Sequence, residues 1–286
     1  MPRLKRFTLA ILAIILLDTL VIWIVGGILI APNPSSIGPI PHDLTGESVL
    51  IPSKSGSTLH GWYIPGPSAG GIVLLHGLHG TRESMTARAR LLHGDGYSVL
   101  LFDFQANGES PGSHVTFGYL ESRDAAAAVD YLHARLPGQK IGALGVSMGG
   151  AAATLAQPPL PVNALVLEEV YPDLEDAVKD RMSIYLGSAG PFISPLLWCQ
   201  LHPRLGFSIN DMRPIDHVSA MHMPKLFIAG ATDNHTTIAE SKALFAAAAD
   251  PKSLWIVPGA GHINIYSFAR DEYRQRVLAF LNQYLR

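Results

Sequence analysis

The first hydrophobic feature of the chain is a block rather than a pattern. Residues 7–30 carry 16 Leu, Ile, Val and Phe side chains and a single charge, Asp18. As a helix rising 1.5 Å per residue, this stretch runs roughly 36 Å and is long enough to cross a bilayer. Asp18 near its middle costs about 2.5 to 3.5 kcal/mol on an insertion scale, and the aliphatic residues return roughly 5 to 10, so insertion is favoured. Two rival readings stand beside a retained anchor. A cleaved signal peptide would use 7–17 as its apolar region, but no A-x-A-like cleavage site follows and Pro32 directly succeeds Ala31. A buried core helix would be unusually long without a polar face.

Beyond residue 46 the hydrophobic pattern changes to short runs. Those at 48–51 and 58–64 flank Lys54-Ser55-Gly56-Ser57 and predict an antiparallel hairpin. Further runs at 71–75, 97–102, 141–144, 164–167, 226–229 and 254–257 are short enough for buried strands. Helical stretches at 81–93, 119–136, 237–248 and 268–285 lie between and after them. The alternation predicts an α/β fold: a mostly parallel sheet of about eight strands with helices on both faces. The rhythm breaks between Tyr171 and Pro224, where no core strand is evident, and residues 172–222 are read as a helical cap inserted over the sheet. The predicted organisation is a membrane anchor at 1–30, a Pro-rich linker at 31–46 with an extended backbone, and an α/β body at 47–286.

Charge and composition narrow the partners. The 286 residues include 21 Lys and Arg against 23 Asp and Glu, a formal net charge of −2, which leaves no electrostatic footprint for nucleic acid. Cys199 is the sole cysteine, so neither an internal disulfide nor a cysteine-based zinc site is available. Arg3, Lys5 and Arg6 precede the apolar block and no Lys or Arg follows it until Lys54. That bias predicts a single-pass protein with a cytoplasmic N-terminus and an extracytoplasmic body; signal cleavage would instead give a secreted body.

The chemistry centres on Gly145-Val146-Ser147-Met148-Gly149. A G-x-S-x-G sequence alone says little, but here it lies between the strand run 141–144 and the small helix formers Gly150-Ala151-Ala152-Ala153. Strand, tight turn and helix are the context in which a serine is projected above a sheet edge. A serine hydroxyl needs a base and an acid to orient that base. His262 follows the strand run 254–257 and Asp233 follows 226–229. In a parallel sheet these loops emerge on one edge, and the order Ser, Asp, His fits. The oxyanion donors are assigned to the backbone N–H groups of Met148, which follows the serine, and Leu78 in His76-Gly77-Leu78-His79-Gly80.

Competing assignments exist for several residues. His76 and His79 have a spacing that a metal could use, but no third or fourth ligand cluster accompanies them, so no metal or cofactor is expected. Glu168 and Glu169 follow the run 164–167 and are alternative acids to Asp233. Asp216 and His217 fall beside Pro214 at a helix start, where capping explains them. The spacing Gly142, Gly145, Gly149 does not match the dinucleotide-binding G-x-G-x-x-G.

With these residues in place, the chain resembles α/β-hydrolase fold enzymes of the serine aminopeptidase and monoacylglycerol-lipase-like branch. The likeness extends over roughly residues 50–286 and includes the His76-Gly77 loop, the Ser147 elbow, and the Asp233 and His262 loops. It also includes Asp103-Phe104-Gln105-Ala106-Asn107-Gly108-Glu109-Ser110, which is similar to the family's D-x-x-G-x-G-x-S turn but has Ala106 and Asn107 where relatives often have Gly and His. The resemblance implies a helical cap and a serine hydrolase that cleaves carboxylic esters through an acyl-enzyme. An aminopeptidase-like amide hydrolase and an inert binding module on the same fold are the alternatives. A small ester or acyl substrate and, through the N-terminal helix, a membrane are the expected partners.

Overall fold

The computed structural model describes residues 2–67 and 70–286. Its centre is an eight-stranded sheet built from β1 (Glu47–Pro52), β2 (Thr58–Ile64), β3 (Gly71–Leu75), β4 (Ser98–Phe102), β5 (Ile141–Val146), β6 (Ala164–Glu168), β7 (Lys225–Gly230) and β8 (Lys252–Val257). The spatial order is β8-β7-β6-β5-β3-β4-β2-β1. β2 alone runs against the rest, so the hairpin forms one edge and six strands pair in parallel beyond it. Because the crossovers place helices on both faces, β3, β4, β6 and β7 are buried along their entire length. Their continuous apolar runs are the signal read from sequence.

Successive side chains point to opposite faces. Val73, Leu75, Leu100, Phe102, Leu165 and Leu167 share one core with α3 (Glu121–Arg135), α4 (Met148–Leu155) and the helix Ile238–Ala247. Ile72, Leu74, Val99, Leu101, Val166 and Ile228 share the other with α2 (Thr86–Gly94) and the C-terminal helix Arg270–Leu285. The expected helix at 81–93 begins instead with a 3₁₀ turn over Arg82–Met85. That predicted at 268–285 is divided into Ile265–Phe268 and Arg270–Leu285.

Between β6 and β7 the chain forms α5 (Leu174–Leu186), α6 (Gly190–Trp198) and α7 (Leu201–Leu205), then short turns of helix to Ala220. This helical excursion occupies the interval assigned to the cap. At the front, α1 (Pro2–Leu29) is long and apolar enough to cross a membrane.

The segment 31–46 departs from the expected spacer. Asn33 and Pro34 pair in parallel with Asn107 and Gly108. The Asn33 N–H donates to the Ala106 carbonyl at 2.8 Å and the Ser35 N–H to Gly108 at 3.0 Å. Asn33 Nδ2 reaches the His79 carbonyl at 2.7 Å, and Leu44 is buried in the core. Four prolines do keep the backbone extended, but an extended backbone also presents unpaired N–H and C=O groups, and loop 106–108 takes them up.

Candidate active site

The candidate nucleophile stands where β5 ends and α4 begins. Ser147 adopts φ 50° and ψ −117°, a conformation that side chains rarely occupy. The flanking glycines make the turn possible. A Cβ on Gly149 would lie 2.3 Å from the Leu75 carbonyl oxygen, and one on Gly145 would lie 2.6 Å from the Gly150 backbone. The serine is therefore raised over the C-terminal edge of the sheet while α4 packs tightly beneath it.

The loops after β7 and β8 bring Asp233 and His262 to the same edge. His262 Nε2 is 3.2 Å from Ser147 Oγ, and His262 Nδ1 is 2.8 Å from Asp233 Oδ2. An ionised carboxylate only accepts hydrogen bonds, so the proton of a neutral ring sits on Nδ1 and Nε2 offers its lone pair to the serine. The other Asp233 oxygen accepts the N–H groups of His235 at 2.7 Å and Thr236 at 3.0 Å. Burial would raise the Asp233 carboxyl, but the His262 ring and these amides outweigh it and hold the group below its ordinary range.

Met148 follows the serine directly, and the Gly77 turn that leads into Leu78 borders it. Met148 is the first residue of α4, so the helix itself leaves its N–H unpaired. Leu78 lies in a turn closed by the Gly80 N–H on the Gly77 carbonyl at 3.0 Å, and a Cβ on Gly77 would be 3.7 Å from that of Ser147. His76 secures this turn. The Phe104 N–H donates to its Nε2 at 3.0 Å, so Nδ1 carries the proton and donates to the Gly77 carbonyl at 2.8 Å. Burial lowers its pKa to about 4. With both ring nitrogens engaged, His76 has no lone pair free for a metal.

The Asp103–Ser110 stretch clasps the same loop from the other side. Asp103 accepts from the Arg82 N–H at 2.7 Å and pairs with the Arg82 guanidinium, whose other arm takes Glu109. Gly108 leaves space for that carboxylate, since a Cβ there would be 2.3 Å from Asp103 Oδ2. Ala106 adopts φ 59° and keeps a glycine-type bend despite its methyl group.

The two alternative acids have different surroundings. Glu168 is fully buried and paired with Arg88, its Oε2 also accepting from the Tyr273 hydroxyl at 2.9 Å. It is committed to the core. Glu169 lies beside the site instead: its Oε1 accepts the Ile263 N–H at 3.1 Å, and ligand atoms of Glu169, Asp233 and His262 fall within 4.8 Å of one another. Burial, then the charge of Glu168, pushes its pKa up to about 9, so it is neutral at pH 7. The pair Glu168-Glu169 marked this position in the sequence, but not which member would face the histidine. Asp216 pairs with Arg213 at 2.7 Å, and His217 contacts Gln157 at 2.8 Å. Arg213, rather than Asp216, occupies the N-cap of Pro214–His217, so the cap assigned to Asp216 is not formed.

Sheet order, crossovers and a serine elbow on this edge define the α/β-hydrolase fold, and the chain belongs to that family. The family model for the alpha/beta hydrolase fold matches residues 71–190. An uncharacterized protein of Mycobacterium tuberculosis is 32% identical over 236 residues, covering 79% of this chain and 77% of the relative. A lysophosphatidylserine lipase of Xenopus tropicalis is 26% identical over 254 residues, covering 83% and 64% respectively. Among solved structures, an esterase of Pyrococcus furiosus superposes with a TM-score of 0.76 at 23% identity, over 90% of this chain and 99% of that one.

Proposed function

We propose that this protein is a serine hydrolase that cleaves carboxylic esters, with Ser147 as nucleophile, His262 as general base and Asp233 as the group that orients the ring. The observation that carries the reading is the Ser147–His262–Asp233 relay, at 3.2 and 2.8 Å, on a serine held in a strained elbow. Ser147 Oγ attacks the ester carbonyl while His262 Nε2 takes its proton, and Asp233 stabilises the imidazolium that results. The tetrahedral oxyanion is received by the Leu78 and Met148 amides, a contribution of about 2.7 to 4 kcal/mol per donor in enzymes of this kind. Collapse expels the alcohol, protonated by His262, and leaves an acyl-enzyme. Water, activated by the same histidine, completes hydrolysis.

The α1 helix is proposed to anchor this activity to a membrane, with Arg3, Lys5 and Arg6 on the cytoplasmic side and the body on the other. Esters that reside in or near a bilayer are then the accessible substrates. The relative named as a lysophosphatidylserine lipase supports the ester reading.

The test uses full-length protein in detergent, a fluorophosphonate probe and p-nitrophenyl esters of graded chain length. Wild type is expected to label and turn over, and Ser147→Ala to do neither while keeping its melting temperature. Labelling that persists in Ser147→Ala removes this serine from the mechanism. Labelling with no ester turnover at any chain length shifts the reading to amides.

A further inference from the structure

The cap carries an apolar surface that the active site does not use. From 182 to 201 the chain has no Asp, Glu, Lys or Arg. This stretch includes the end of α5, the connection to α6 and all of α6. Within it Phe192 is 82% exposed and Tyr185 73%, with Ile184, Leu186 and Leu196 also open to solvent. Single exposed apolar residues are ordinary on a protein surface, but a contiguous uncharged group marks an interaction site.

The C-terminal end of this stretch and the helix α7 that follows it are joined to α1. Gln200 Nε2 donates to the Ile22 carbonyl at 3.1 Å, and the Arg204 guanidinium donates to the Trp23 carbonyl while standing 3.8 Å above the Trp23 ring. Gly26 makes the approach possible, since a Cβ there would fall 2.4 Å from Gln200 Oε1. Only a cavity of about 40 Å³ remains between α1 and the cap. The cap therefore sits at a defined level along α1.

That level can be counted. About 20 helical residues cross the hydrocarbon layer. Starting from the last N-terminal cation, Arg6, they end near Gly26. Ile22 and Trp23 then lie at or just inside the far boundary, and the cap residues bonded to them share that depth. Phe192 is six positions before Trp198, the last residue of α6, about 9 Å along the helix axis at helical rise. Trp23 and Trp198 are the aromatic type enriched at such boundaries. Arg204, stacked over Trp23, supplies a cation at headgroup level.

We infer that the tip of the cap, through Tyr185, Leu186, Phe192 and Leu196, is embedded in the bilayer leaflet at the C-terminal end of α1. This rests on the reading that α1 crosses the membrane. A second copy of the chain is the weaker occupant, because the bond to α1 already brings the tip to lipid whenever α1 is inserted. The embedded tip would fix the cap against the leaflet and present the site to esters held there.

The experiment places an environment-sensitive fluorophore on single cysteines in full-length Cys199→Ser protein, reconstituted in phosphatidylcholine vesicles. Labels go at Ile14→Cys in α1, Phe192→Cys on the tip and Gln139→Cys at the opposite edge of the sheet. Nitroxide lipids carry the spin either near the headgroup or near the acyl terminus. The expected result is quenching of the position 14 label by the deep nitroxide, of the 192 label by the shallow one, and of the 139 label by neither. Quenching at 14 without quenching at 192 overturns the embedded tip and leaves the anchor standing; no quenching at 14 overturns both. A label at Ile184→Cys guards against insertion driven by the dye, and adding Phe192→Asp should abolish most of its shallow quenching. Unchanged quenching there would also overturn the inference.

Discussion

At the scale of single residues, Glu169 has the most specific consequence. It stands beside Asp233 and His262 with a pKa raised to about 9 by burial first and by Glu168 second. At neutral pH it contributes a neutral carboxyl, so the histidine faces one anion, Asp233. Above about pH 9 a second anion would form there, and its charge would oppose the negative charge that develops on the tetrahedral intermediate. Activity should therefore fall on the alkaline side with a midpoint near 9, and Glu169→Gln should keep the neutral-pH rate and lose that fall. A pH–rate profile unchanged by the substitution would separate Glu169 from the chemistry. The same raised pKa means the folded protein holds a proton that the unfolded chain releases above about pH 4.3, so this residue's support for the fold declines from there towards pH 9.

At the scale of elements, the elbow and the cap each make a prediction. In Gly149→Ala the new methyl would meet the Leu75 and His76 carbonyl oxygens at 2.3 and 2.6 Å, both backbone atoms that cannot rotate away. Overpacking of this kind costs about 1 to 3 kcal/mol. A lowered melting temperature and lost turnover are expected together; an unaltered melting temperature would show that α4 does not pack as described. The cap meets the body partly through carboxyls. Asp180 on α5 faces Glu240 at the start of the helix Ile238–Ala247, and Glu240 is raised to about 7 by burial before any other cause. A carboxyl whose folded pKa is raised stabilises fully below its unfolded value, and the contribution is lost as pH rises towards 7. Amide exchange in α5 should accordingly quicken between about pH 5 and pH 7.5, after correction for intrinsic rates, and Glu240→Gln should remove that acceleration. Equal acceleration in the variant would dismiss the contact.

At the scale of the whole molecule, the N-terminal region is not an appendage. Ile30 accepts the Val115 N–H at 2.9 Å, and Asn33 bonds the loops at 79 and 106, which adjoin the oxyanion turn. The α1 helix is thus continuous with the framework of the site along one hydrogen-bonded path. If the apolar helix at 5–29 crosses the bilayer as proposed, carbonate washing of membranes should leave the full chain in the pellet. Release into the supernatant would refute the span.

The sequence by itself determined the fold class and the strand runs, and it nominated the interval 172–222 and the residues Ser147, Asp233 and His262 that the fold brings together. Each of these depends on local signals: buried strands are short and apolar, a tight elbow needs small neighbours, and loop residues follow strand ends. Tertiary structure alone decided the rest. Glu168 and Glu169 are adjacent in sequence and differ only in which side of the sheet edge they face, one towards Arg88 and the other towards His262. Prolines at 32, 34, 39 and 41 announce an extended backbone, but whether it spans solvent or pairs with a loop some 70 residues later depends on partners that local sequence does not encode. The depth of the cap along α1 is likewise set by Gln200 and Arg204 meeting Ile22 and Trp23. Contacts between residues so far apart are chosen by packing, and packing exists only once the chain has folded.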